Sequence, residues 1–191
     1  MEPSKEINGR KTGIWSDIFE WIKVIVIAVI ISLPIRFFIA EPFIVNGASM
    51  DPTFATGQFL IVDRLTYRFD EPKRGDVIVF RYPNDPKTYY IKRIIGLPNE
   101  KLELNNGVVS IDQSFSSSSP LTLDEPYLKS ENLSYEDLKI SLGANEYFVM
   151  GDNRGASSDS RVWGPLDKDF IVGRPIIRLF PITKLSISPG K

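Results

Sequence analysis

The run Tyr89-Tyr90-Ile91-Lys92-Arg93-Ile94-Ile95-Gly96 combines aromatic and β-branched residues and ends at a glycine. Such runs are typical of β-strands. Side chains two residues apart share one face of a strand, so Lys92 should lie beside Tyr90 and Ile94. The opposite face is also apolar, apart from Arg93. The pattern therefore predicts a buried strand that carries a lysine in apolar surroundings.

Short runs of the same kind, broken by Gly, Pro, Asn and Asp, recur throughout the chain after Ala40. They predict strands at Gln58–Asp63, Asp76–Tyr82, Lys101–Leu104, Val108–Ile111, Glu146–Met150 and Arg174–Phe180. Asn105-Asn106-Gly107 between two of these strands indicates a hairpin. Helical periodicity is scarce, and one short helical turn is predicted at Tyr135–Ile140. Together these features predict a mainly β domain of twisted antiparallel sheets, either a distorted barrel or two packed sheets.

Length and composition limit the possible functions. The chain has 191 residues, which favours one compact domain with attachments. A formal net charge of −1 gives no electrostatic case for binding nucleic acid. The sequence contains neither cysteine nor histidine, which excludes disulfides, haem, iron–sulfur clusters and typical zinc sites. We therefore expect no cofactor and no metal.

Residues 18–40 form a predominantly apolar stretch of 23 residues, enough to span a hydrocarbon core of about 30 Å. Its centre, Val24–Ile35, carries no charge. A cleaved signal peptide is disfavoured because the bulky Phe38 would stand third before a cut after Ala40. A buried core helix is disfavoured because the centre lacks a polar stripe. The stretch is therefore predicted to be one N-terminal transmembrane helix that is retained.

The charges that flank this stretch predict its orientation. Positive residues cluster before it and at its start: Lys5, Arg10, Lys11 and Lys23. Neither Lys nor Arg occurs between Glu41 and Leu60. The positive-inside rule then makes residues 1–17 a cytoplasmic segment, residues 18–40 the anchor, and residues 41–191 an extracytoplasmic domain.

Ser49 lies in the run Gly47-Ala48-Ser49-Met50-Asp51-Pro52-Thr53, shortly after the apolar stretch. A serine is ordinarily solvated or caps a turn. In a chain without histidine, a nucleophilic serine cannot use imidazole, and the common remaining base is a neutral lysine. Lys92 is the candidate, provided that burial lowers its pKa by about two to three units from about 10.4. The alternative is a strand lysine that extends its amine to solvent.

The segment Gly151–Pro165 alternates opposite charges with small residues after a predicted strand. Three interpretations stay open at this point. The segment is a surface turn with exposed ion pairs, a rigid loop that supports a site, or a calcium loop that uses Asp152, Asn153 and Asp159. The calcium interpretation lacks the twelve-residue pattern of an EF-hand.

These motifs, in this order and behind the predicted anchor, resemble the bacterial type I signal peptidases. That family consists of membrane-bound Ser-Lys proteases that remove signal peptides from exported proteins. The resemblance covers most of the chain and implies a mainly β catalytic core of antiparallel sheets. Its motifs are Ser49-Met50-Asp51-Pro52-Thr53, Asp63-Arg64-Leu65, Arg74-Gly75-Asp76-Val77-Ile78-Val79-Phe80, Lys92-Arg93-Ile94-Ile95-Gly96-Leu97-Pro98, and Gly151–Arg154 followed by Ser157–Gly164.

The resemblance also implies roles for individual residues. Ser49 is the nucleophile and Lys92 the general base. Ser157 hydrogen-bonds to the lysine and orients it, and Asp159 and Arg161 form a structural ion pair behind the site. The Ser49 N–H contributes to the oxyanion hole. The implied partners are a lipid bilayer and preproteins with small residues at the first and third positions before the cut, the Ala-x-Ala pattern. The implied location is the cell (inner or plasma) membrane or another internal bacterial membrane.

Two regions need separate comment. Some members of the family place a serine two residues before the nucleophile, where its hydroxyl assists the oxyanion hole; this chain has Gly47 there. A serine at this position is expected to be accepted unless Gly47 needs a positive φ. Residues 103–145, which include the Ser-rich run at 114–120, are predicted to be a variable insertion.

The predicted function is therefore signal peptide removal by a membrane-bound serine endopeptidase. One rival is a self-cleaving repressor with a Ser-Lys dyad, which would need a DNA-binding N-terminus instead of an anchor. The other rival is a non-catalytic, membrane-tethered β-domain that binds peptides. Loss of preprotein turnover in Ser49→Ala separates the catalytic class from the binding class.

Overall fold

The computed structural model describes residues 14–34, 39–112, 120–128 and 137–190. Backbone contacts divide the chain into two units, residues 1–38 and residues 39–191. The first unit contains helix α1, Ile14–Pro34. Most of the Ser-rich run, the N-terminal positive residues and Phe38 lie outside the described residues.

Among the described residues, no helix is both long enough and apolar enough to cross a membrane. The transmembrane helix predicted over residues 18–40 is therefore not found among the described residues. Helix α1 carries Asp17, Glu20 and Lys23 in its first half and ends at Pro34. Ala40, the predicted end of the span, is the first residue of a strand.

The second unit is built almost entirely from β-strands, as predicted. The strands are β1 (Ala40–Ile44), β2 (Phe59–Asp63), β3 (Val77–Tyr82), β4 (Asp85–Gly96), β5 (Lys101–Asn105), β6 (Val108–Asp112), β7 (Leu121–Thr122), β8 (Leu138–Ser141), β9 (Glu146–Met150), β10 (Leu166–Asp167), β11 (Ile171–Phe180) and β12 (Ser186–Ile187). Helix α2, Ser160–Trp163, is a single turn.

The strands form two antiparallel sheets. The larger sheet has the order β1-β2-β11-β3-β4-β9-β10, with β12 added to β11, and the smaller has the order β7-β6-β5-β8. The larger sheet is open because β1 and β10 do not pair with each other. The distorted barrel is therefore wrong, and two packed sheets is the correct alternative. Residues 103–145, the predicted insertion, supply most of the smaller sheet.

Apolar side chains from the two sheets pack against each other. Ile95, Phe148 and Met150 from the larger sheet share one cluster with Leu102 and Ile111 from the smaller sheet. Burial of this area from water is the main stabilising term for such a layered fold. This cluster covers the face of β4 that carries Ile95, and a second cluster with Ile78 and Val149 covers the opposite face at Ile94, so Lys92 to Gly96 are all buried.

Three local results concern the sequence predictions. The hairpin is confirmed, since Asn106 and Gly107 have φ of 48° and 82° between paired β5 and β6. The helical turn at Tyr135–Ile140 is wrong where it is described, because β8 begins at Leu138. Strand β1 was not predicted. It contains Pro42 and lies at the sheet edge, where a proline is tolerated.

Candidate active site

Ser49 lies in a turn between β1 and β2, and the apolar residues that follow it anchor this turn in the core. Met50 and Phe54 are 1% and 0% exposed and belong to one core cluster. The Phe54 N–H donates to the Met50 carbonyl at 2.9 Å, which closes the turn. The turn that carries Ser49 is therefore anchored in the core, and Met50 is a core residue.

Gly47 adopts a conformation that other residues disfavour. Its φ is +97°, in the left-handed region where L side chains are strained. A Cβ added there would meet nothing within 4 Å, so the restriction comes from the backbone and not from a clash. The Thr56 hydroxyl accepts from the Gly47 N–H at 3.1 Å and donates to its carbonyl at 3.0 Å. A serine at position 47 was expected to be accepted unless Gly47 needs a positive φ. Because its φ is positive, a serine there should be strained.

Lys92 lies in β4 and reaches Ser49 across the site. Its Nζ is 2.7 Å from Ser49 Oγ and 3.0 Å from the Ile91 carbonyl oxygen. The residue is only 4% exposed, and its Nζ lies 5.1 Å from the centre of the Tyr90 ring. The alternative of a lysine that extends to solvent is wrong.

Burial changes the proton affinity of this amine. Loss of solvation lowers the pKa of Lys92 to about 8, against the opposing effect of the Asp159 and Asp152 carboxylates. A lysine with this pKa is substantially neutral in mildly alkaline solution and can accept a proton. The contact and the pKa together give Ser49 a neighbouring base.

A groove of about 250 Å³ opens beside the two side chains. Its wall includes both Ser49 and Lys92, and most of the remaining lining is apolar or aromatic. The apolar and aromatic members are Phe43, Ile44, Val45, Leu60, Val79, Tyr89, Tyr90 and Ile91. The groove can therefore receive an extended peptide with apolar side chains next to the serine.

Asp159 and Arg161 form a two-point ion pair at the start of α2. The Arg161 Nε donates to Asp159 Oδ1 at 2.8 Å, and its Nη2 donates to Oδ2 at 2.9 Å. The Asp159 carboxylate also accepts from the Gly151 N–H at 3.0 Å. The pair ties the loop that follows β9 into a fixed shape. The interpretation of this segment as an exposed surface turn is wrong, since the two side chains are 0% and 5% exposed.

Ser157 lies close to the turn of Ser49 and forms no hydrogen bond to Lys92. Its Oγ is buried and has no hydrogen-bond partner among the described residues. A Cβ built on Gly151 would meet both Ser157 Oγ and the Ser49 carbonyl oxygen. Glycine at 151 therefore allows the loop to approach the turn, and the Ser157 hydroxyl faces this junction.

Asn153 connects the loop directly to the turn of Ser49. Its backbone N–H donates to the Ser49 carbonyl at 3.0 Å, and its side-chain Nδ2 donates to the Ala48 carbonyl at 3.2 Å. Sequence analysis did not assign this role to Asn153. The bonded carbonyls are backbone groups, and no residue pattern identifies them.

Sequence analysis also missed a second buried ion pair. The Arg93 Nε and Nη2 donate to Asp152 Oδ1 and Oδ2 at 2.9 Å and 2.7 Å. The Thr53 hydroxyl donates to the same carboxylate. Arginines thus occupy the carboxylates of both Asp152 and Asp159, which leaves no acidic pair for calcium. Within the described ranges, no group of three acidic residues is placed to hold a metal ion.

A β domain without histidine, in which a buried lysine contacts a serine beside an apolar groove, has the arrangement expected of a serine protease that does not use imidazole. Residues 18–180 match the signal peptidase family, peptidase S26. The chain belongs to this family and is a serine protease of the signal peptidase I type.

Two relatives in sequence agree with this assignment. A probable signal peptidase I-1 of Synechocystis sp. is 37% identical over 177 residues, which cover 89% of this chain and 86% of that protein. A signal peptidase I of Bacillus licheniformis is 33% identical over 186 residues, which cover 92% and 96%. A crystal structure of a signal peptidase I from Enterococcus faecalis V583 aligns with 55% of this chain and 97% of that chain, with 26% identity and a TM-score of 0.46.

Proposed function

We propose that this chain cuts N-terminal signal peptides from exported preproteins, with Ser49 as nucleophile and Lys92 as general base. The observation that carries the proposal is the 2.7 Å contact between Lys92 Nζ and Ser49 Oγ in a buried setting. This distance is within hydrogen-bond reach for proton transfer. Similarity to signal peptidases I over most of the chain supplies the substrate class.

The reaction proceeds by covalent catalysis. Neutral Lys92 takes the hydroxyl proton as Ser49 Oγ bonds to the scissile carbonyl carbon. The resulting ammonium gives this proton to the leaving amine, the C–N bond breaks, and the mature protein departs. A water molecule then loses a proton to Lys92 and attacks the ester carbonyl. Lys92 returns this proton to Ser49 Oγ as the ester C–O bond breaks, which releases the signal peptide with a free carboxyl group and restores both Ser49 and neutral Lys92.

Two further groups complete the proposed site. We assign the Ser49 N–H to the oxyanion hole, and the hydrogen bond from the Asn153 side chain to the Ala48 carbonyl holds the peptide plane that carries this N–H. The Ser157 hydroxyl has no other partner among the described residues. We assign it as the acceptor for the third N–H of Lys92 once the ammonium forms, because an ammonium has three donors.

The groove supports a preference for uncharged residues before the cut. Val45, Leu60, Val79 and Ile91 give it an apolar wall, and Tyr90 lines it beside Lys92. Alanine side chains bury their methyl groups in such a groove, whereas charged side chains would lose hydration without a partner. The restriction to small residues comes from membership of the signal peptidase family, and with the apolar groove it gives the proposed pattern Ala-x-Ala.

Attachment to a membrane is part of the proposal and rests on the sequence and the family. The apolar residues from Val24 to Leu33 of α1 are exposed, which gives this segment a surface for lipid. Residues 1–17 would then be cytoplasmic and residues 41–191 extracytoplasmic. Alkaline carbonate extraction of membranes, followed by protease protection of residues 41–191, tests the attachment and the orientation separately.

The cleavage experiment uses the purified full chain in detergent and one preprotein with an Ala-x-Ala site. We expect the product to begin immediately after the second alanine, as read by N-terminal sequencing. Changing that alanine to lysine in the preprotein should abolish the cut. A product that begins elsewhere, or cleavage that ignores the lysine, contradicts the proposed specificity. Binding of the preprotein without any cleavage would favour the non-catalytic rival.

A further inference from the structure

Glu125 and Tyr127 come from the segment between β7 and β8, which the site described above does not use. Glu125 forms an ion pair with Arg154, and the two side chains are 8% and 1% exposed. The Tyr127 hydroxyl donates to Glu125 Oε1 at 2.6 Å. The Tyr127 ring lies under the Arg93 guanidinium, with 4.0 Å from Cζ to the ring centre.

Both arginines belong to the elements that carry the proposed site. Arg154 Nε donates to the Gly151 carbonyl at 3.2 Å, inside the loop that contains Ser157. Arg93 directly follows Lys92 in β4 and binds Asp152. One acidic side chain thus contacts an arginine of the loop, and one aromatic ring contacts an arginine of the strand that carries Lys92.

Residues 121–128 are tied to the smaller sheet. Strand β7 pairs with β6, and the Leu123 N–H donates to the Val109 carbonyl at 2.9 Å. The Leu128 N–H donates to the Glu125 carbonyl at 3.0 Å, which closes a turn around Pro126. Glu125 and Tyr127 therefore transmit the position of the smaller sheet to the site.

We propose that Glu125 and Tyr127 form a clamp that positions Arg154 and Arg93, and through them keeps the catalytic loop aligned with the strand of Lys92. This inference rests on the proposed Ser49–Lys92 mechanism. Neither clamp residue touches the reacting atoms, so both are positioning residues. A misplacement of about 1 Å from a change away from the chemistry can reduce a rate by about 10²-fold.

The test measures kcat and KM for one preprotein with the full chain, well below the unfolding midpoint of each variant. Glu125→Gln keeps the size of the side chain and removes its charge. We expect kcat to fall by about 10- to 100-fold with KM within about twofold, because the groove is untouched. Glu125→Asp should recover part of this loss. Tyr127→Phe, which keeps the ring under Arg93, should lose less than Tyr127→Leu.

The matched control is Glu103→Gln. Glu103 lies in β5 of the same sheet and pairs with Lys139 at 2.9 Å, but these side chains are 44% and 77% exposed. Its kcat and KM should equal those of the wild type. Ser49→Ala in the same assay tests the Ser49–Lys92 mechanism separately. If this variant still cleaves the preprotein, that mechanism is wrong, whatever the Glu125 and Tyr127 variants show.

With Ser49→Ala inactive, a folded Glu125→Gln with wild-type kcat overturns the clamp, even if its unfolding midpoint is lower. Such a result would make the pair a stabilising contact only. If Glu125→Gln does not fold, the kcat values of Tyr127→Phe and Tyr127→Leu test the clamp instead. Equal and wild-type kcat values for Tyr127→Phe and Tyr127→Leu overturn the clamp, and a graded loss supports it.

Discussion

Arg93 and Asp152 form a two-point ion pair with side chains that are 5% and 1% exposed. Arg93 follows the proposed base Lys92 in β4, and Asp152 precedes Asn153, whose N–H binds the Ser49 carbonyl. The pair therefore joins the strand of the base to the turn of the nucleophile. A change to either partner should affect both the stability of the domain and the alignment of the site.

Removal of Asp152 should destabilise the fold severely. Asp152→Ala leaves the Arg93 guanidinium buried without its carboxylate, which costs about 3–5 kcal/mol in free energy of unfolding. Urea unfolding of the full chain measures this loss. Glu103→Ala breaks the exposed pair with Lys139 and should cost no more than about 1 kcal/mol. If the two variants lose the same free energy of unfolding, the buried pair of Arg93 and Asp152 contributes no more to stability than the exposed pair.

The rate of cleavage should rise with pH through about 8. Lys92 must be neutral to accept the Ser49 proton, and burial lowers the pKa of Lys92 to about 8. The neutral fraction therefore grows as the pH passes this value, and the rate reaches a plateau above it. A profile of kcat/KM against pH measures the inflection. An inflection near 10.4, the ordinary value for lysine, would mean that the amine is not desolvated.

Substitutions of Asp159 and Arg161 should shift the pH of this inflection in opposite directions. The Asp159 carboxylate raises the pKa of Lys92, so Asp159→Asn should shift the acidic limb to lower pH. Arg161→Gln removes the cation that faces the carboxylate and should shift the limb to higher pH. Circular dichroism first establishes that both variants are folded. Two shifts of the same sign would contradict an electrostatic effect of this pair on Lys92.

Substitution of Gly47 should be costly because of its backbone. Its φ of +97° means that any Cβ costs about 1–2 kcal/mol, although open space surrounds the position. Gly47→Ala and Gly47→Ser should therefore lose similar free energy of unfolding. If a hydroxyl at this position assists the oxyanion, Gly47→Ser will have the higher kcat. Identical kcat values in two folded variants would exclude that assistance.

Most of the strands were predictable because β-branched and aromatic runs are separated by turn residues. The buried setting of Lys92 was predictable for the same reason, since both faces of its strand are apolar in sequence. Strand β1 escaped prediction because Pro42 and the preceding apolar stretch obscure it. Whether a domain of such strands closes into a barrel depends on which edges pair, and residue types alone do not determine this.

The supporting contacts were harder to predict than the dyad. Arg93 and Asp152 are 59 residues apart in the sequence, and Glu125 and Arg154 are 29 apart. A charged residue in a sequence normally indicates exposure, so these buried pairs carry no local signal. Asn153 acts partly through its backbone N–H, which every residue except proline possesses.

The central claim is that Ser49 and neutral Lys92 together carry out the cleavage. Single-turnover cleavage of one preprotein by purified wild type, Ser49→Ala, Lys92→Ala and Lys92→Arg tests it most directly. We expect each variant to lose at least about 10³-fold in rate while its unfolding midpoint stays close to that of the wild type. Lys92→Arg should fail as fully as Lys92→Ala, because a guanidinium stays protonated. Cleavage near the wild-type rate in any of the three variants would contradict the account.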